Sequence, residues 1–238
     1  MGFSVRSALR FGWETFKKRP WFFVLAMLLI VIAQGLVQGI GRASDASLAG
    51  AAEELGFLAS LVHLALSTLV SMGVTAFALA AHDNPDTVEL SALWHPHPFW
   101  KYLGLSIIFA LVAVAAFLLG LALVAVLGLE TGLAIGIPLL LVLGAIFALM
   151  FMFSGFLVID RELGPIEAMK GSYRMTYGYK WSLLGLLLML LLINVLGLLA
   201  LIVGLFVSAP VSLLAATHAY RVLGAGAGTR PADAALAA

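Results

Sequence analysis

The chain has no cysteine among its 238 residues. Disulfides and thiolate chemistry are therefore excluded, and redox logic says nothing of compartment. Charge is scarce as well, at 11% of residues against about 25% in soluble domains. With 63% hydrophobic residues and a mean hydropathy of +1.12, a soluble globule would have too little polar surface to face water. Also missing is the apolar/polar alternation over about ten positions that barrel strands require; the apolar runs here are apolar all round. The chain lacks a Gly-rich phosphate loop, a nucleophile elbow and an HExxH pair, so no residue set supports an enzyme and no catalytic residue is assigned. No Asp, Glu, Lys or Arg stands at the centre of an apolar run, which counts against an ion-coupled pump.

What is present is length. Six apolar stretches, at 21–40, 56–81, 100–127, 133–159, 181–203 and 205–222, are each long enough for a bilayer core of about 30 Å. The first exceeds the apolar core of a signal peptide and is expected to be a retained span. Residues 181–219 carry no formal charge. As one helix they would reach roughly 60 Å, about twice the core thickness, so a reversal is expected at Gly204. The expectation is an all-α polytopic bundle of six spans in one domain, 1–223, followed by a flexible Gly/Ala-rich tail at 224–238. Loops are expected at 41–55, 82–98 and 128–132, and a kink near Pro138.

Two polar segments read as amphipathic helices lying in the headgroup plane. In 1–20, Val5, Leu9, Trp13 and Phe16 share one face and Arg6, Arg10, Glu14 and Lys17 another. In the second, Gly164-Pro165-Ile166-Glu167 marks a helix start. Ile166, Met169, Tyr173 and Tyr177 then oppose Glu167, Lys170 and Arg174. A cytosolic partner-binding helix is the plainer alternative for the first. Twelve of the 13 cations fall at the ends of alternate spans, with Arg42 the exception. The positive-inside rule then puts both termini in the cytoplasm. Trp21, Trp100 and Trp181 recur about 80 residues apart, and at an offset of 160 Ala8-Leu9-Arg10 lies over Ala168-Met169-Lys170. Three units of in-plane helix plus hairpin would explain this; convergence on an interfacial composition would too.

Polar groups inside spans are few. Gln34, Gln38 and His63 are placed to meet near the outer side, Asn194 sits mid-span, and His218 lies near the inner end, close to His82 if the hairpins pack together. Gly204, Ser208, Ser212 and Ala216 form a small-residue face, suited to helix packing or to a lipid-sized groove. For all of these, interhelical hydrogen bonding is the plain reading. His82, Asp83, Asp86, His95 and His97 are ligand types without a zinc spacing, so neither metal nor cofactor is expected.

The segment Val158-Ile159-Asp160-Arg161-Glu162-Leu163-Gly164-Pro165-Ile166-Glu167-Ala168-Met169-Lys170-Gly171-Ser172 is followed by Thr176-Tyr177-Gly178 and Trp181, then by Asn194-Val195-Leu196-Gly197-Leu198, Val203-Gly204, Ala209-Pro210 and Ala219-Tyr220-Arg221-Val222-Leu223. Over this part the chain resembles a widespread, largely uncharacterised bacterial and archaeal family of six-span proteins, similar to the membrane domain fused to some glycerophosphodiester phosphodiesterases. The resemblance implies a fold and a membrane location. The phosphodiesterase domain has no counterpart in these residues, so its activity is not implied, nor is any catalytic or substrate-binding residue.

The functional expectation is a non-catalytic membrane protein that engages lipids or a partner through its in-plane helices. Arg6, Arg10, Lys17, Lys18, Arg19, Lys170 and Arg174 are the contact residues. Membrane lipids, a membrane-protein partner or a second copy are the expected partners, and nucleic acid is not. The alternative is a small-molecule or lipid transporter with a cavity between hairpins, lined by Asn194, Ser208, Ser212 and His63.

Overall fold

The computed structural model describes residues 3–48, 53–94, 97–200 and 204–227. Among them all regular structure is helical: α1 (Val5–Lys18), α2 (Pro20–Leu48), α3 (Glu53–Asp83), a 3-10 turn (Leu90–Leu93), α4 (Phe99–Leu127), α5 (Leu129–Phe151), α6 (Ser154–Arg161), α7 (Pro165–Thr176), α8 (Lys180–Leu199) and α9 (Leu205–Ala227). Among the described residues five stretches are long and apolar enough to cross a membrane: Pro20–Arg42, Gly56–Asp83, Phe99–Leu127, Leu129–Arg161 and Lys180–Leu199. The chain is thereby marked as a membrane protein. The last helix, α9, is not one of the five. It carries Ser208, Pro210, His218 and Arg221, and α1, α2, α3, α7 and α8 all pack on it. A helix so wrapped shows little surface outside the bundle.

Local chemistry sets several of the boundaries. α1 starts after extended Ser4 and ends at Arg19, before Pro20, because proline disfavours helix at the residue before it. α7 begins as the sequence predicts, with Pro165 in its first turn; the Gly164 N–H, one of the donors a helix start leaves over, donates to the Glu167 carboxylate at 3.2 Å. Between α4 and α5 the chain turns on Gly128 alone, at φ 83°, a left-handed conformation that glycine adopts without strain.

Three expectations need correction. Residues 41–48 continue α2 and 53–55 begin α3, where a loop over 41–55 was expected; a polar helical end can stand clear of a bilayer without unwinding. α9 runs through Ala227, past the expected tail boundary, and 228–238 lie outside the described residues. The span expected unbroken over 133–159 is continuous through Pro138 but interrupted at Met152 and Phe153, between α5 and α6. There Ser172 of α7 donates its hydroxyl to the Met150 carbonyl at 2.9 Å and accepts the Phe153 N–H at 3.2 Å. A distant side chain thus satisfies backbone groups that the broken ladder frees, which is what permits such a break at membrane depth.

Small residues set which faces of α1 and α7 pack on the bundle. The buried residues of α1 are Ala8, Gly12, Thr15 and Phe16, and those of α7 are Ala168, Ser172, Met175 and Thr176. Of the expected apolar faces, Trp13, Ile166, Tyr173 and Tyr177 are exposed. Lipid is as apolar as leucine, so hydrophobicity gives a membrane helix no preference between lipid and protein. Small residues that let backbones approach decide instead. At Gly12 a Cβ would stand 2.5 Å from the Val211 carbonyl oxygen of α9.

Two apolar clusters fill the interior. One joins Ala8, Phe153, Leu157, Leu183, Leu186 and Tyr220; the other joins Phe16, Phe23, Phe77, Val211 and Leu214. At the offset of 160, Ala8 and Ala168, Gly12 and Ser172, Phe23 and Leu183, and Ala26 and Leu186 are buried alike. Trp21, Trp100 and Trp181 all project outward, at 84%, 79% and 86% exposure.

Candidate functional site

The outer face of α1 carries Arg6, Arg10, Trp13, Glu14 and Lys17. Arg10 donates from Nε to the Glu14 carboxylate at 2.7 Å. That bond, and then the charge behind it, raises the Arg10 pKa and holds Glu14 below the ordinary carboxylate range. Lys17 Nζ lies 5.9 Å from the Trp13 ring centre. On α7, Lys170 and Arg174 are exposed beside Tyr173, and Lys180 lies 5.8 Å from the rings of Tyr173 and Tyr177. Among the described residues, Arg6, Lys170 and Arg174 form no ion pair within the chain.

Lys18 and Arg19 differ from the other five predicted contact cations. Lys18 pairs with Asp86 at 2.9 Å. Arg19 donates to the carbonyls of Val88 and Asp86 at 2.9 and 3.3 Å and lies 4.1 Å from the Phe22 ring centre. Both tie the α1–α2 junction to the segment after α3. Their positive charge faces partners inside the protein, which leaves them less suited to lipid than their sequence neighbours.

Of the intramembrane polar residues, three converge. The Asn194 amide donates to the Leu190 carbonyl and to Ser212 Oγ, both at 2.8 Å, and its oxygen accepts from Ser208 Oγ at 2.9 Å. These bonds join α8 to α9 where Gly197 and Gly204 touch: a Cβ on Gly204 would lie 2.5 Å from the Gly197 carbonyl oxygen. The expected meeting of His218 with His82 is also found, with nitrogens 3.3 Å apart and Phe11 within 4.5 Å of both rings. The trio of Gln34, Gln38 and His63 does not assemble. His63 packs on Gly41 and Gln38 is exposed, while Gln34 Oε1 and His63 Nε2 are buried without a hydrogen-bond partner.

Sequence reasoning missed the largest ionic contact. Arg221 of α9 pairs with Asp83 at the end of α3 and, at 2.8 Å, with Asp160 at the end of α6. The Tyr220 hydroxyl donates to the same Asp160 at 2.6 Å. One guanidinium thus clasps the ends of three helices. The signal available was a charged residue closing each of three apolar runs, Asp83, Asp160 and Arg221, one of them opposite in sign to the others. Asp83 and Asp86 are therefore occupied by Arg221 and Lys18. Among the described residues no group of three His, Cys, Asp or Glu can hold a metal; His95 lies outside them.

These contacts also gather helix ends. The starts of α2 and α4 and the ends of α3, α6 and α9 meet through Lys18–Asp86, Lys101 to the Glu162 carbonyl, and the Arg221 clasp. Two of the clefts among the described residues have polar side chains in their walls. One, of about 790 Å³, is lined by Arg6, Arg10, Trp13, Ile193, Val207 and Ser208. The other, of about 610 Å³, is lined by Ser71, Thr75, Tyr102 and Ser106 among phenylalanines of α4, α5 and α6. Comparison with protein-family models, with curated proteins and with solved structures returns no match.

Proposed function

We propose that this chain is a non-catalytic, six-span protein of the bacterial inner membrane that engages anionic lipids through the outer faces of α1 and α7. One observation carries the reading. Both helices bury a small-residue stripe and turn aromatic rings and unpaired cations outward, Arg6, Trp13 and Lys17 on one and Lys170, Tyr173 and Arg174 on the other. A surface of rings flanked by cations matches the apolar-to-charged gradient at a headgroup layer. Each cation near an anionic leaflet favours binding by about fivefold. A partner protein with an acidic juxtamembrane face is the other occupant such a surface would take.

In this reading α9 is the sixth crossing, shielded by its neighbours. The gathering of Lys17, Lys18, Arg19, Lys101, Arg161 and Arg221 with the helix ends they occupy supports an even number of crossings and cytoplasmic termini. The repeat also belongs here. The burial match at the offset of 160 supports it, as does the packing of α1 on α9, the 3-10 turn on α3, and α7 on α6. In each case the helical segment opening one unit packs on the last helix of the unit before it, and the first closes on the third. Membership of the six-span family that 158–223 resembles is part of the same proposal.

The test is extraction with native lipids, followed by lipid mass spectrometry. Anionic lipid should be enriched over the bulk membrane, and Lys170→Glu with Arg174→Glu should remove most of the enrichment. Unchanged enrichment in that variant sinks the reading. The transporter alternative has its own observation, the hydroxyl-lined cleft between α3, α4 and α6. Solute or lipid flux in proteoliposomes that Tyr102→Phe abolishes would favour it.

A further inference from the structure

We infer that the cleft bounded by α1, α8 and α9 is a discrete site for one anionic glycerophospholipid, with an acyl chain along Ile193 and Val207 and its phosphate against Arg6 and Arg10. This rests on the lipid-facing reading of α1 given above, and narrows it from a face to a single site.

The cleft has a structural cause. At one end α8 and α9 are in backbone contact through Gly197 and Gly204 and are locked by the Asn194 bonds. Toward the other end α1 touches both, with Val5 beside Gly185 of α8 and Gly12 seated on Val211 and Ala215 of α9. A hairpin joined at its tip, with a third helix against both limbs, leaves the space of about 790 Å³ between them. That size falls within the range typical of small-molecule sites.

The walls identify the occupant. Ile193, Val207, Val211 and Gly204 line the interior, and Leu9, Trp13, Arg6 and Arg10 close the α1 side. Ser208 also lines the cleft, but its hydroxyl proton is donated to Asn194. An apolar slot with cations on its α1 side matches a molecule with a chain and an anionic head. Glu14 is the acidic group nearest these cations, and it engages one N–H of Arg10. The remaining guanidinium donors of Arg10 and all those of Arg6 suit phosphate oxygens, which arginine binds in bidentate fashion. The apolar walls give a chain no reason to leave the bilayer, since lipid solvates it equally well. Selectivity therefore resides in the head. A phosphatidylglycerol keeps its negative charge, whereas a phosphatidylcholine brings its own ammonium to the two arginines.

The full chain, purified and equilibrated with an equimolar mixture of phosphatidylglycerol and phosphatidylcholine, tests this by native mass spectrometry. The wild-type protein should retain one phosphatidylglycerol under activation that strips all other lipid. Ile193→Trp, and separately Val207→Trp, fills the slot without touching a charge; each should lose the retained lipid while its helical circular dichroism is unchanged. Arg6→Gln with Arg10→Gln should erase the preference, expected at about fivefold per cation, to within twofold. Both slot variants retaining lipid as wild type does would overturn the site. So would displacement of the lipid by glycerol phosphate alone, or no retained lipid in the wild type. The enrichment measured above separates the two readings: if it persists while no single lipid is retained, the site fails and the lipid-facing helices stand. If both are absent, both fail.

Discussion

Replacing Arg221 with methionine keeps most of its volume and removes its charge, so the clasp that joins α3, α6 and α9 can be tested in isolation. The cost follows from the exposure of its two halves. Exposed ion pairs contribute about 0–1 kcal/mol, and stripping one partner from a buried pair costs about 3–5 kcal/mol. The Asp83 side chain is 42% exposed, so its half belongs at the low end, with solvent screening what the geometry offers. Asp160 is 20% exposed against 29% for Arg221, and its half is intermediate. Together the loss should be about 2–3 kcal/mol. Most of it is the charge left on Asp160, which then has only the Tyr220 hydroxyl as donor.

That origin makes a second change informative. Asp160→Asn removes the stranded charge, so added to Arg221→Met it should recover roughly half of the loss, and the double-mutant cycle should show a coupling of about 1–2 kcal/mol. The measurement is reversible unfolding in mixed micelles, titrated with denaturing detergent and followed by circular dichroism. Arg221→Met within 0.5 kcal/mol of wild type would refute the clasp. A loss that Asp160→Asn deepens would refute the account of its cause.

Gly12→Ala should cost about 1–3 kcal/mol by overpacking, since its Cβ meets the Val211 carbonyl, whereas Gly39→Ala, with open space around it, should be neutral or slightly stabilising in the same titration. In a chain without native cysteine, single cysteines at Asn84 and Tyr177 should react from one side of the membrane and one at Glu130 from the other. Ser172 is buried, and a cysteine there should resist reagent. The Arg10–Glu14 bond lowers the Glu14 pKa, so whatever it adds to α1 is complete above the free carboxylate's pKa and fades as pH falls through Glu14's own lower value. Helicity should therefore hold from pH 7 to 5, and a transition of α1 within that window would refute the assignment.

Much of this architecture is written in local pattern. The start of α7 at Pro165 and the turn-back between α8 and α9 follow from residues that act on their own neighbourhood. The sides of α1 and α7 that meet protein do not, because Trp13 and Tyr173 satisfy lipid as well as they satisfy a core, and the decision falls to Gly12 and Ser172. The break at Phe153 was illegible for another reason. Pro138 is the stronger local disruptor, yet a break persists where a side chain 19 residues away can accept the freed N–H. The clasp joins residues 138 and 61 positions apart, and sequence displays such a pairing only as unattached charges at the ends of apolar runs.

The Asn194 network bears on which functional reading the bundle can sustain. A polar side chain at membrane depth is either a partner for a passing solute or a fastener between helices, and the two make opposite demands on its hydrogen-bonding capacity. A solute-binding amide must present a free donor or acceptor when the site is empty. Here both amide donors are engaged, one by the Leu190 carbonyl and one by Ser212, and the oxygen accepts from Ser208. Releasing the donor held by Ser212 would take that hydroxyl's partner away in an apolar layer, at a cost of about 1–3 kcal/mol. The same cluster sits beside the Gly197–Gly204 contact, where helices are already as close as backbones allow. Fastening is the role that geometry fits. Asn194→Leu should then lower stability by about 0.6–2 kcal/mol and leave lipid enrichment at α1 and α7 intact. Loss of that enrichment at unchanged stability would instead make Asn194 part of the binding surface.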